Sequence, residues 1–158
     1  MKIIPNFIEP EAFKKIKSLL ESTSFPWYYS GKITDIEDPV GQGYFTHTFF
    51  NLRANSSFFS SVESIVDKLN VKALIRIKAN LYHRTEKLII HKPHTDYDYK
   101  HKGAIFSINT CNGYTILQDG TKIKSKENTL LLFDSYKSHQ STNCTDQKIR
   151  LNINFNFF

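Results

Sequence analysis

The sequence predicts a mainly β fold with supporting α structure: a jelly roll or related double-sheet barrel, with two N-terminal helices packed on one sheet. Three observations predict it. Helical periodicity is confined to the part before Val71, two later stretches alternate strictly between apolar and polar residues, and between them short apolar runs are punctuated by Asn-Gly and Asp-Gly. A rhythm of many short antiparallel strands is what double-layered or closed sheets require.

The first helix is expected from Pro10 to Glu21. Phe13, Ile16, Leu19 and Leu20 fall on one stripe, Lys14, Lys15 and Lys17 fall off it, and Pro10 suits a first turn. Ser24 to Asn51 mixes the aromatics Trp27, Tyr28, Tyr29, Tyr44 and Phe45 with the turn formers Gly31, Asp35, Asp38, Pro39 and Gly41, which reads as strands and mobile loops. Loops of this kind often line a substrate cleft, so Trp27, Tyr29 and Tyr44 are substrate-site candidates. The competing reading is that these aromatics plug one end of the core. A second helix is signalled by the cap candidates Asn55, Ser56 and Ser57, followed by Phe58, Phe59, Val62, Ile65, Val66 and Leu69 at helical spacing, and it is expected to lie beside the first.

From Ala73 the period changes to two. Ile75, Ile77, Ala79 and Leu81 alternate with Arg76, Lys78, Asn80 and Tyr82, so the apolar face is assigned to the helices and the polar face to the lumen of a curved sheet. Strands follow at Gly103 to Thr110, Tyr114 to Gln118, Thr121 to Lys124 and Thr129 to Phe133, with turns at Asn112-Gly113 and Asp119-Gly120, the dipeptides that most strongly signal hairpins. Asp134 to Asn143 reads as a loop carrying His139. The last strand, Lys148 to Phe158, sets Leu151, Ile153, Phe155 and Phe157 against Arg150, Asn152, Asn154 and Asn156. Asn is a poor strand former. A row of them is easier to place where some find partners in a polar cavity, so Asn152 is assigned to the lumen; a sheet with one wet face is the alternative.

A chain of 158 residues fits one domain, 1–158, with 1–70 giving helical support and substrate loops and 71–158 the β core. No apolar run is long enough to span a membrane, and Pro5 breaks the N-terminal run too early for a signal peptide, so a cytoplasmic location and no membrane partner are expected. Cys111 and Cys144 stand in no Cys-x-x-Cys pattern and are read as free thiols. The net charge of +6 is carried mainly by scattered Lys, which admits nucleic acid as a partner without demanding it. The preferred account is compositional: a Lys-, Asn-, Ile- and Phe-rich chain is what AT-rich coding DNA yields.

The chemistry gathers between His94 and Arg150. Two imidazoles and one carboxylate on one face of a non-haem ferrous ion leave the other coordination positions open for a co-substrate and oxygen. His94 and Asp96 can share that face if the chain turns at Thr95, and His139 must come from a distant strand. Arg150 adds a planar fork of donors suited to bidentate capture of a carboxylate. His91 and Asp98 are rival ligands, disfavoured because Asp96 follows His94 so closely. His47, His83 and His101 have no partner pattern and read as surface or supporting groups. Tyr97, Tyr99 and Lys100 follow the metal turn as a lid or substrate rim, or as plain exposed loop.

With His94, Asp96, His139, Arg150 and Tyr82 in place, the stretch from about Ala73 to the C-terminus resembles the Fe(II)/2-oxoglutarate-dependent oxygenases, in their prolyl-hydroxylase-like branch. In Gly113-Tyr114-Thr115-Ile116-Leu117 and Leu131-Leu132-Phe133-Asp134 it is similar to small oxygenases of marine tailed phages, which would place it in a host cytoplasm. The resemblance implies a double-stranded β-helix, a cupin-like jelly roll, with His94, Asp96 and His139 as iron ligands and Arg150 paired with the distal carboxylate of 2-oxoglutarate. It implies that Tyr82 donates to the same acid, and it matches Asn80 to the Asn-x-Tyr pattern of alkylated-base demethylases; Asn152 is grouped with these cofactor-binding residues. One departure matters: no second arginine follows Arg150 on the closing strand, which demotes base repair. The implied reaction consumes O2, converts 2-oxoglutarate to succinate and hydroxylates an unactivated C–H, on a peptidyl side chain such as proline, with ascorbate as a candidate reductant. Alternatives are an oxygenase acting on a nucleobase or nucleic acid, and a non-catalytic jelly-roll metal-binding or virion-associated module.

Overall fold

In the computed structural model, which describes residues 1–32 and 43–158, the chain builds two antiparallel sheets. The larger contains β1 (Lys2–Pro5), β2 (Tyr28–Ser30), β3 (Tyr44–Asn51), β4 (Leu74–His83), β5 (Lys102–Ser107), β8 (Thr129–Phe133) and β10 (Ile149–Phe157). Their order is β1-β8-β5-β10-β4-β3-β2. The smaller sheet holds β6 (Tyr114–Leu117), β7 (Lys122–Lys124) and β9 (His139–Ser141) in the order β7-β6-β9. Helix α1 covers Pro10–Leu20 and α2 covers Glu63–Leu69, preceded by a 3-10 turn at Phe59–Val62. No helix among the described residues is long and apolar enough to cross a membrane.

The two-residue period of β4 and β10 organises the fold. The strands pair with Arg150 opposite Tyr82, Asn152 opposite Asn80 and Asn156 opposite Arg76, so on each strand apolar side chains leave by one face and polar ones by the other. The apolar face joins the main core, in which Ile77, Ile153 and Phe155 of the large sheet pack with Ile16 and Leu20 of α1, with Ile65 of α2 and with Val62 of the turn before it. A second cluster, Ile105, Leu131 and Phe133 against Leu117 and Ile123, lies between the two sheets. The face of β10 bearing the asparagines is not wet: every residue from Arg150 to Phe157 is buried.

Three local expectations are corrected, and one strand is added. Asn112-Gly113 is no hairpin turn, because β5 and β6 belong to different sheets and do not pair. A Cβ on Gly113 would stand 2.4 Å from the Asn143 carbonyl oxygen and 2.6 Å from Arg150 Cδ, so glycine answers a close approach of chains there. Asp119-Gly120 is the true hairpin, linking β6 to β7, with Gly120 at φ +84°. His139 opens a short strand instead of riding in a loop. The second helix is shorter than its apolar stripe suggests: Ser56 Oγ accepts the Phe58 N–H at 3.1 Å, and a tight 3-10 turn intervenes before Glu63. Strand β1, four residues ending in a proline, pairs along β8 with Lys2 opposite Leu132 and was not expected.

Candidate active site

His94 and His139 form an antiparallel pair outside the longer strands. His94 N–H donates to the His139 carbonyl at 3.0 Å and His139 N–H to the His94 carbonyl at 2.9 Å. Residues that exchange both backbone bonds project their side chains together, and the two ring centroids are 4.5 Å apart. His139 Nδ1 lies 3.0 Å from the Lys137 carbonyl and His94 Nδ1 3.4 Å from the Lys92 carbonyl. Each Nδ1 therefore carries the proton and each Nε2 is left for a ligand, the tautomer a metal needs. Asp96 completes the group: one ligand atom from each of His94, Asp96 and His139 lies within 4.8 Å of the others. Burial, with the His139 imidazole adjoining, holds His94 below its ordinary value against the pull of Asp96, which keeps it in the neutral, ligating form.

The Asp96 carboxylate is held from several sides. Arg76 Nη2 donates to Oδ1 at 2.9 Å, while Asn156 Nδ2 at 2.8 Å and Asn154 Nδ2 at 3.2 Å donate to Oδ2. Burial alone would push the carboxyl up; Arg76, with His139 and the two amides, outweighs it and keeps Asp96 below the usual carboxylate range. The polar faces of β4 and β10 carried these three residues in the sequence, but nothing there tied them to Asp96.

At the other end of the same cleft stands Arg150, 1 % exposed. Its Nε donates to Ser125 Oγ at 2.9 Å, Nη1 to the Thr142 carbonyl at 2.6 Å and Nη2 to Thr115 Oγ1 at 3.1 Å, all neutral acceptors. Among the described residues no carboxylate lies within ion-pair distance of it. Burial works against its charge, with only partial relief from Tyr82. A guanidinium has five N–H donors. Three are spent, and the two left, one on each terminal nitrogen, are open to an acceptor such as a carboxylate.

Tyr82 lies under this guanidinium, its ring centroid 5.6 Å from Arg150 Cζ. It also makes stacked contacts with Tyr44 and His91, each with ring centroids 5.2 Å apart. Burial raises the phenol above its ordinary value, against the pull of Arg150, so it remains a donor. Midway along the cleft Asn80 Nδ2 donates to Asn152 Oδ1 at 3.0 Å. Asn80 Oδ1 and Asn154 Oδ1 are buried with no protein donor.

The other candidates fall outside the trio. His91 Nδ1 faces Ser141 Oγ at 2.8 Å and His101 Nε2 faces Ser135 Oγ at 2.7 Å. His47 is buried between the Pro26 carbonyl and Ser56 Oγ, both at 2.8 Å. Tyr44 lines the cleft, where Lys78 Nζ donates to its hydroxyl at 3.1 Å. Trp27 does not: its indole N–H donates to the Leu20 carbonyl at 3.2 Å and its ring packs on Phe25, because a buried indole needs an acceptor and the end of α1 supplies one. Tyr29 lies exposed against Phe45. Tyr97 and Tyr99 stack on each other at 5.2 Å beside the cleft, Tyr97 over the Arg76 guanidinium and Tyr99 against Phe158. Asp35, Glu37, Asp38, Pro39 and Gly41 lie outside the described residues. Lys78, Thr115, Ser125 and Ser141 were not singled out as site residues; an alternating strand pointed to Lys78 alone.

The donor set fits a ferrous ion: two imidazoles and a carboxylate on one side of a polar cleft. The spare N–H donors of Arg150 fit a carboxylate-bearing occupant beside it, while the Asn80 and Asn154 amide oxygens, being acceptors, call for a donor.

No family model matches the chain, and no curated protein matches it in sequence. Solved structures do match over nearly its full length. A prolyl-4-hydroxylase from Pseudomonas putida superposes with a TM-score of 0.66 at 12% identity, covering 99% of this chain and 91% of its own. An oxidoreductase of the 2OG-Fe(II) oxygenase family from Burkholderia pseudomallei gives 0.67 at 11% identity, covering 98% and 82%. A prolyl hydroxylase from Trichoplax adhaerens, in complex with a hypoxia-inducible-factor peptide fragment, gives 0.63 at 17% identity, covering 99% and 82%. The fold is the jelly roll of the 2-oxoglutarate oxygenases. At such identities the likeness is one of fold, and the case for chemistry rests on the side chains above.

Proposed function

We propose that this chain is an Fe(II)- and 2-oxoglutarate-dependent dioxygenase that hydroxylates an unactivated C–H on a peptidyl side chain, proline first. The observation that carries it is Arg150: a fully buried guanidinium with two spare N–H donors and no carboxylate partner among the described residues, opening on the cleft that holds His94, Asp96 and His139. A buried, unpaired charge is costly, and a dicarboxylic keto acid relieves that cost while reaching toward the trio. The peptide substrate is supported by prolyl hydroxylases among the structural neighbours, one of them in complex with a peptide fragment. No observation on the cleft favours a nucleobase, and a binding module without a keto acid would leave the buried Arg150 charge uncompensated.

His94, Asp96 and His139 hold the ion through two Nε2 atoms and a carboxylate oxygen, with Asn156 and Arg76 fixing the carboxylate's rotation. Arg150 receives the far carboxylate of the keto acid, and Tyr82, kept protonated by burial, donates to it. Asn80 and Asn152 line the space between. Iron and 2-oxoglutarate together supply the oxidative power that activates a C–H bond; the protein supplies position and a dry wall. On this reading residues 1–158 form one oxygenase domain of the cytoplasm.

The test is anaerobic addition of Fe(II) and 2-oxoglutarate. A visible charge-transfer band supports the reading and its absence overturns it. Proline-containing peptides incubated with the loaded enzyme in air are expected to gain the mass of one oxygen.

A further inference from the structure

Behind Arg150 two loops meet, one joining β5 to β6 and the other joining β9 to β10, and each brings a cysteine to the junction. Cys111 is 5% exposed and Cys144 fully buried. Their sulfurs and a carboxylate oxygen of Asp146 all lie within 4.8 Å of one another. The loops are already stapled: Asn112 N–H donates to both Asp146 oxygens at 2.9 and 3.0 Å, Asn112 Nδ2 to Thr145 Oγ1 at 2.7 Å, and Thr145 N–H back to Asn112 Oδ1 at 3.0 Å. The same wall touches the site, since Arg150 Nη1 donates to the Thr142 carbonyl and Gly113 leaves no room for a Cβ beside Arg150 Cδ.

Two kinds of chemistry suit paired thiols, and the surroundings separate them. A metal ion would need the Asp146 carboxylate, whose two oxygens are taken by the Asn112 N–H, and would sit near the Arg150 guanidinium, which interacts with both sulfurs. A disulfide needs neither a free carboxylate nor charge compensation, only two sulfurs held face to face by a fixed backbone.

We infer that Cys111 and Cys144 are a dithiol pair that closes to an intramolecular disulfide on meeting a hydroperoxide, latching together the two loops behind Arg150. One thiolate attacks the peroxide O–O bond, giving a sulfenic acid and water (or an alcohol). The other then attacks that sulfur, forming S–S and expelling a second water. Two thiols lose two electrons and two protons, and the peroxide is reduced. Burial and the neighbouring thiol push Cys144 up to about 11, so closure is slow at neutral pH and faster in mild alkali.

The test is intact mass of the full chain after hydrogen peroxide treatment and denaturing alkylation. These are the only two cysteines in the sequence, so the expected product is a species lighter by two hydrogens that takes up no alkylating agent. It is restored by dithiothreitol and yields a Cys111–Cys144 linked peptide. Cys111→Ser and Cys144→Ser proteins lose that product and take up oxygen on the remaining sulfur. The disulfide form should melt about 5 °C or more above the reduced form. Two alkylatable thiols after treatment, separate oxygen adducts on the two sulfurs, or a disulfide that leaves the melting temperature unchanged or lowered each overturn the inference. Neither readout depends on oxygenase turnover, so its failure is distinguishable from failure of the proposed function.

Discussion

Arg76 and Asp96 are paired at 2.9 Å, so the one carboxylate of the candidate metal trio already carries a guanidinium on the oxygen turned away from Asn156. The pair leaves Asp96 ionised and correctly rotated, and it places a positive charge close to where a cation would bind.

Replacing Arg76 by Gln keeps a donor while removing the charge. Repulsion between a guanidinium and a divalent ion a few ångströms away exceeds the value of one hydrogen bond. Arg76→Gln should therefore bind Mn(II) about tenfold more tightly in an anaerobic titration. Asn156→Ala, which removes a donor to Asp96 and no charge, should weaken binding about tenfold. Opposite signs for the two variants are the discriminating result.

Arg150→Ala leaves Ser125, the Thr142 carbonyl and Thr115 without their buried donor. Losing such bonds costs about 1–3 kcal/mol each, so the urea midpoint should fall clearly. The affinity for 2-oxoglutarate, measured by the charge-transfer band, should fall by about a hundredfold, while Mn(II) still binds. Arg150→Lys should recover part of the stability and little of the affinity, because an ammonium offers no planar fork.

Gly113→Ala and Gly120→Ala should separate crowding from backbone strain. A Cβ at Gly113 meets a carbonyl and the Arg150 stem, whereas one at Gly120 meets nothing within 4 Å but sits at φ +84°. Gly120→Ala should cost about 1 kcal/mol and leave keto-acid binding alone. Gly113→Ala should cost about 1–3 kcal/mol and weaken that binding as well.

His47, which is not part of the candidate metal trio, supplies a separate pH signature. Burial holds it below its ordinary value of 6.5, despite the bond to the Pro26 carbonyl. Below pH 6.5 the unfolded chain takes up a proton that the folded one refuses. The stability from neutral His47 is thus fully present above 6.5 and is lost as pH falls from there through the depressed folded value. The denaturant midpoint should fall between pH 7.5 and 5.5, and the fall should be shallower in His47→Gln.

The legible parts of the molecule are those that local chemistry decides. Alternation alone marked both faces of β4 and β10, the stripe of Phe13, Ile16, Leu19 and Leu20 marked α1, and residue type and order brought His94, Asp96, His139 and Arg150 forward together. What escaped depends on contacts between distant positions. Asn112-Gly113 carries a hairpin signature, yet its glycine answers Asn143 and Arg150, thirty residues and more along the chain. Arg76 meets Asp96 only because β4 crosses behind the metal turn. Trp27 has the composition of a substrate contact, and only the position of the Leu20 carbonyl turns it into packing.

Strand β10 carries Arg150, Asn152, Asn154 and Asn156 on one face, buried throughout. On a pleated strand successive same-face residues stand about 6.8 Å apart, so the strand acts as a caliper: Arg150 is one jaw, and the asparagines that clasp Asp96 mark the other. On the proposed reading, a diacid gripped between Arg150 and the His94–Asp96–His139 trio would have its length set chiefly by backbone pitch. Shifting specificity to a shorter or longer acid would then mean moving the arginine by a whole rung, because a one-residue shift would swing it into the apolar core on the opposite face.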